Sequence, residues 1–182
     1  MPSRQLIKRE LDAGKLGEPG LIRIHHWDAA GKADGNDSLP AVVLRELDVI
    51  LWLMGKTPSI VHALEPANSV GNKQGRYLHI HLGFPGGGMA LLDYSSLHPP
   101  GDPYRMLHVI GSAGAAYADD HQNMQLLFQG GPARGVIAKE QSGKASEQDL
   151  AGMTRDWETV LAVAESVKHS LAIGQAVSVE GR

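Results

Sequence analysis

The chain has 182 residues, a formal net charge of −3 and 42% hydrophobic residues, enough to bury one core without covalent staples. No run of Lys or Arg makes a basic stripe, which argues against nucleic acid as a partner. With no cysteine, disulfides, zinc–thiolate centres and thiol nucleophiles are excluded. The N-terminal MPSRQLIKRELDAGKLG has no apolar signal core, and no apolar run approaches membrane-spanning length. A single cytoplasmic domain over residues 1–182, with no membrane partner, is expected. Nine histidines are the one compositional oddity.

Residues 3–13 predict a short helix, with Ser3 as its cap, Ile7 and Leu11 on one face and Gly14 beyond its end. Gly17, Pro19 and Gly20 mark a turn. LIRIHHWD (21–28) alternates as a strand does, with Ile22 and Ile24 on one side and Arg23, His25 and Trp27 on the other. After a polar loop over 29–38 comes LPAVVLRELDVILWLMGKTP (39–58). There Val43, Leu47, Ile50, Leu51 and Met54 keep the spacing of a buried helical stripe, and Gly55 and Pro58 end it. Arg45, Asp48 and Trp52 share a different face of that helix.

Strand-forming segments then follow in series, at 59–65, 76–84, 88–95, 104–111, 115–120, 124–129 and 135–139. FPGGGM supplies a reversal between two of them, and turn signals recur too often for helical crossovers, so the sheet is expected to be mostly antiparallel. Ser146 and Asp149 form a candidate capping box for a helix carrying Leu150, Met153, Trp157, Val160, Leu161, Ala164, Val167 and Leu171. Gly174 ends this helix, and 176–180 is a short final strand. The fold class is α+β: an open, mostly antiparallel sheet with helices on one face and the other face available.

Dinucleotide and P-loop fingerprints are absent from the sequence, and GSAGAA (111–116) lies between two strands, where it reads as a tight turn. His79 and His81 alternate within a strand and so point the same way as Tyr77. Such a pair can begin a metal site, with His98, His108 and His121 as distant ligands, but Pro85 and Gly86 stand where a nearby carboxylate would help. No metal residue is assigned, and a histidine-dependent metal protein is kept as an alternative. Serines are scattered without a nucleophile elbow, and Asp119, Asp120 and His121 read as a solvated strand-end turn. Tyr77, His79 and His81, with Tyr104, Met106 and His108, are too apolar for a free surface and too polar for a sealed core. That mixture suits a protein–protein interface on the uncovered sheet face.

Five stretches fall in order: LDAGKLGEPGLIRIHHW, RELDVILWLMGKTPSIVHA, FPGGGMALLDYS, LHVIGSAGAAYADD and VLAVAESVKHSLAIGQAVSVE. Together they resemble the C-terminal domain of the glucose–fructose oxidoreductase/inositol dehydrogenase/MocA (Gfo/Idh/MocA) family. The resemblance implies a two-domain, NAD(P)-dependent dehydrogenase of sugars or polyols. In that plan a Rossmann domain holds the dinucleotide and a catalytic lysine, and the C-terminal sheet shapes the substrate site and mediates oligomerisation. The family helix reads G-x-H-x-x-D-x-x-x-W-L-x-G. Here Asp48, Trp52, Leu53 and Gly55 match it, and Arg45 stands at the proton-transferring histidine. An arginine stays protonated and cannot act as a general base near neutral pH.

No catalytic and no cofactor-binding residue is therefore expected in this chain. NAD(P) enters only through a separate Rossmann domain or subunit. Arg45, Asp48 and Trp52 are candidate substrate-binding residues, and Arg45 suits an anionic group through its planar fork. The principal expectation is a substrate-binding and oligomerisation domain, not catalytic alone, that forms a homodimer or tetramer through the Tyr77/His79/His81 and Tyr104/Met106/His108 face. The alternative is the substrate half of a split or truncated NAD(P)-dependent oxidoreductase. A frame that opens at Met1 just before a helix cap favours a complete chain, although a fragment can begin the same way.

Overall fold

A computed structural model describes residues 2–29, 39–66, 75–98, 104–119, 124–128, 134–137 and 156–179. Helix α1 (Pro2–Asp12) starts on a proline, whose missing N–H costs nothing in the first turn. Ser3 thus lies inside the helix and does not cap it. Helix α2 (Ala41–Met54) has Pro40 at its N-cap without a side-chain cap bond, and it stops at Gly55, which is left-handed. Helix α3 (Trp157–Ile173) has Asp156, at φ −153°, as its N-cap, whose carboxylate accepts from the Thr159 N–H at 3.1 Å. The proposed Ser146–Asp149 capping box lies outside the described residues.

Among the described residues nine strands form one sheet: β1 (Pro19–Ala29), β2 (Ile60–Leu64), β3 (Tyr77–Gly83), β4 (Met89–His98), β5 (Tyr104–Gly111), β6 (Ala115–Asp119), β7 (Met124–Phe128), β8 (Arg134–Ile137) and β9 (Val177–Ser178). Their spatial order is β8-β7-β6-β5-β1-β4-β3-β2-β9. The β1–β4 pair is parallel, and every other described pairing is antiparallel. The fold class is therefore the expected one, an α+β open sheet with helices on one side.

Alternation along each strand sends every second side chain to the helices. Ile22 and Ile24, Val61 and Ala63, Leu78, Ile80 and Leu82, Leu92, and Leu107 and Val109 form a buried core with Val43, Leu47 and Ile50 of α2 and Val160, Val163, Ala164 and Val167 of α3. Trp157 and Leu161, expected in that stripe, are 43% and 44% exposed. The side of α3 that meets the sheet runs i, i+3, i+4, i+7 from Val160, and Leu161 stands about 100° off it. Ser170 pins α3 to the sheet: its hydroxyl accepts from the Ala63 N–H at 2.9 Å and donates to the Gln175 carbonyl at 2.6 Å.

The GSAGAA stretch is the β5–β6 turn, as expected, closed by the Gly111 N–H on the Gly114 carbonyl at 2.8 Å. A Cβ on Gly111 would stand 2.0 Å from the Leu16 carbonyl oxygen. Glycine there lets the turn dock on residues 16–18, where Ser112 and Ala113 donate to the Glu18 and Leu16 carbonyls at 3.0 Å each.

Candidate functional site

Pairing registers arrange the side chains of the uncovered face in rows across the strands. The outermost row runs Ile60, Gly83, Met89, Leu21, Ile110. Ile60, Met89 and Ile110 are 46%, 49% and 40% exposed. Next comes His62, His81, Leu91, Arg23, His108, Tyr117, and then Leu64, His79, Asp93, His25, Met106, Asp119. A last row holds Tyr77, Ser95, Trp27 and Tyr104. All six residues expected at an interface thus lie on one face. The parity that placed them there also brings His25, His62, Arg23, Asp93 and Asp119 among them.

Asp93 is buried and stands between two imidazoles. Its Oδ2 lies 3.5 Å from His25 Nδ1 and its Oδ1 3.7 Å from His79 Nδ1. Neither ring nitrogen of His25, nor His79 Nδ1, nor Asp93 Oδ1 has a hydrogen-bond partner among the described residues. The His79 and His81 rings are 5.2 Å apart, His81 and His62 6.3 Å, and His108 packs edge-on to Tyr117 at 4.7 Å. Burial holds His25, His81 and His108 below the usual imidazole value. Neighbouring positive charge adds to this: Arg23 and His79 at His25, His79 and His62 at His81, and Arg23 and His25 at His108, while carboxylates at His25 (Asp93) and His108 (Asp119) pull the other way. Burial first, then Asp93, raises the Tyr77 hydroxyl. Among the described residues no group of three or more His, Asp or Glu converges to hold a metal ion.

The helix side of the same sheet carries a charge chain that periodicity concealed. Arg4 Nη2 donates to both oxygens of Glu46 at 2.8 and 2.7 Å, and His26 Nδ1 meets Glu46 Oε1 at 2.8 Å. His26 Nε2 lies 3.1 Å from Asp28 Oδ2 and 3.3 Å from Arg105 Nε, while Arg105 Nη2 donates to Asp28 Oδ1 at 3.1 Å. Burial alone would raise the Glu46 pKa, but the His26 and Arg4 hydrogen bonds and charges outweigh it and hold the carboxyl below its ordinary value. Arg4, Glu46 and His26 are all buried. The signal available in the sequence was a second histidine directly after His25, which alternation must send to the opposite face.

Between α1, α2 and the start of α3 lies a cleft of about 280 Å³, lined among others by Lys8, Asp48, Trp52, Lys56, Asp156 and Thr159. Lys8 Nζ sits 5.7 Å from the Trp52 ring centre, a cation–π distance. Of the three residues expected on the pocket face, Asp48 and Trp52 line the cleft, and Asp48 is buried. Arg45 is exposed and is not among the lining residues. Carboxylates, amines, hydroxyls and an indole face equip the cleft to hold a small polar molecule.

A family model for the GFO/IDH/MocA C-terminal domain matches residues 5–117. The chain belongs to this family. Solved structures agree on the fold. An oxidoreductase from Thermotoga maritima is 20% identical with a TM-score of 0.78, over 98% of this chain and 60% of that one. An oxidoreductase from Agrobacterium radiobacter in complex with NAD+, L-tartaric acid and magnesium is 15% identical with a TM-score of 0.76, over 98% and 62%. The aldose–aldose oxidoreductase from Caulobacter crescentus, complexed with glycerol, is 18% identical with a TM-score of 0.70, over 96% and 60%. The chain thus spans about three fifths of the length of these structures. No curated protein matches it. Within this Gfo/Idh/MocA C-terminal domain, no described helix is long and apolar enough to cross a membrane.

Proposed function

We propose that this chain is the substrate-side and assembly domain of a cytoplasmic Gfo/Idh/MocA oxidoreductase, pairing with a second copy through the open sheet face. Hydride transfer then depends on a dinucleotide domain elsewhere in the protein or on a partner chain. The observation that supports pairing is the uncovered face itself. An exposed apolar row containing Ile60, Met89 and Ile110 adjoins rows of imidazole, indole and phenol, a mixture that protein interfaces favour. A two-fold contact also needs charges of both signs on one patch. Arg23 is a cation, Asp93 and Asp119 are anions, and all lie within two neighbouring rows. Light scattering on the purified chain should give a dimer or larger. Replacing His79 and His81 together by Glu adds like charges across the two-fold axis and should dissociate it. A wild-type monomer, or an unchanged assembly in the double variant, overturns the reading.

The cleft supports a second, compatible reading, in which this domain supplies substrate contacts to a dinucleotide-binding unit. The similar structures carry NAD+ with L-tartaric acid, or glycerol, small molecules rich in oxygen. Asp48 can accept hydroxyl protons, and Trp52 offers an apolar platform for such a ligand. Arg45 cannot supply proton transfer, so that group must come from the dinucleotide-binding unit. Titration with NAD(H) on the light-scattering sample tests the division of labour: tight binding by this chain alone contradicts it.

A further inference from the structure

We propose that self-association through the open face is switched off by mild acid, because among the described residues five histidines crowd there against two carboxylates. The proposal rests on the assembly reading and adds its control. The titratable and charged groups on this face, strand by strand, are Arg23 and His25 on β1, His62 on β2, Tyr77, His79 and His81 on β3, Asp93 on β4, Tyr104 and His108 on β5, and Tyr117 and Asp119 on β6. With the His25, His81 and His108 rings uncharged, the Arg23 guanidinium shares the face with two carboxylates, a near balance that two copies can share. As these rings take up protons in acid, the face gains positive charge beside Arg23. Asp93 lies within 4 Å of two rings of the cluster, His25 and His79. His81 and His62 pair ring to ring with no carboxylate in the row between them and Arg23.

The direction follows from proton linkage. Burial already holds His25, His81 and His108 below the ordinary imidazole value of 6.5. Covering the face with a second copy removes more water from the same rings and favours their neutral form further. The assembled state therefore binds fewer protons than the free chain, so association is at full strength above the ordinary value of 6.5 and weakens below it, as pH falls through the lowered values of these rings. His26, one residue from His25, takes no part, since its nitrogens face Glu46, Asp28 and Arg105 on the helix side.

The test is sedimentation velocity on the whole chain at about pH 8 and about pH 5.5, for the wild type and for the triple variant H62Q/H81Q/H108Q, whose glutamines stay neutral at both pH values. The wild-type dissociation constant should rise roughly tenfold or more in acid. The variant, dimeric at pH 8, should change much less. Circular dichroism at both pH values must show a folded chain, so that dissociation is not mistaken for acid unfolding. A wild-type dimer equally tight at both pH values overturns the switch and leaves the assembly reading standing. A monomer at pH 8 overturns both. An undiminished pH response in the triple variant removes these histidines as its cause.

Discussion

His25 and His26 are neighbours in one strand and meet opposite fates. His26 points to the helices, where Glu46 holds one ring nitrogen and Asp28 or Arg105 engages the other. Whether its Nε2 carries a proton or not, a partner is in place: as a donor it serves Asp28, as an acceptor it receives Arg105. His25 points the other way, beside Trp27 and Tyr104 with ring centres 5.3 and 6.4 Å away, and neither of its nitrogens has a hydrogen-bond partner among the described residues. The difference is one of parity alone, and it teaches that the residue type says little until the face is known. On the sealed side an imidazole is a structural strut. On the open side the same group is left to respond to whatever covers it.

The comparison breaks most sharply at Glu46. Replacing it by Ala leaves Arg4 and His26 buried without their carboxylate, and urea unfolding should show a loss of about 3–5 kcal/mol. A loss below about 1 kcal/mol would mean that the chain of charges contributes little to the sealed side. E46Q also carries a pH signature. Because the folded Glu46 pKa lies below its ordinary 4.5, its stabilisation is present above that value and fades as pH falls through the folded one. In E46Q that part of the acid limb should disappear.

Two adjacent residues of β3 sharpen the contrast between faces. I80A opens a cavity in the core and should cost about 2–5 kcal/mol. H81A, measured at a concentration where the chain is monomeric, should stay within about 0.5 kcal/mol. Equal losses at the two positions would deny that the faces differ. An intermediate effect is expected at Ser170, where Ala removes a hydroxyl that bridges the Ala63 N–H and the Gln175 carbonyl. The loss there should be about 1–2 kcal/mol in the same urea experiment.

Much of this was legible in the residues. Alternation in β1, β3 and β5 assigned Ile22, Ile80 and Val109 to one side and His79, His81 and His108 to the other, since a period of two leaves no choice once one face is apolar. The strand series and the glycine turns followed for the same local reasons. Less visible was what depends on distance along the chain. Glu46 looks like part of the wet side of α2 until Arg4 and His26, 42 and 20 residues away, come to meet it. Of Arg45, Asp48 and Trp52, which share a face by spacing, Asp48 and Trp52 line the cleft and Arg45 does not. Asp156, which accepts from the Thr159 N–H, caps α3 at a point that apolar spacing does not mark, while the expected cap at Ser146 lies outside the described residues. The parallel β1–β4 pair leaves no mark in either strand's sequence.

That pair has a consequence for how the chain assembles itself. β4 and β5 are consecutive in the chain but not adjacent in the sheet; β1, which precedes both in sequence, lies between them and pairs with both. On one side stand β9, β2, β3 and β4, on the other β5, β6, β7 and β8, and within each group β2–β3–β4 and β5–β6–β7–β8 are joined by neighbours in sequence. β1 acts as a keystone that two locally formed sub-sheets must close around. Its pairing with β5 joins residues 19–27 to residues 104–111, and long-range closures of this kind slow folding. During synthesis the keystone leaves the ribosome before both of its neighbours and has to wait for them.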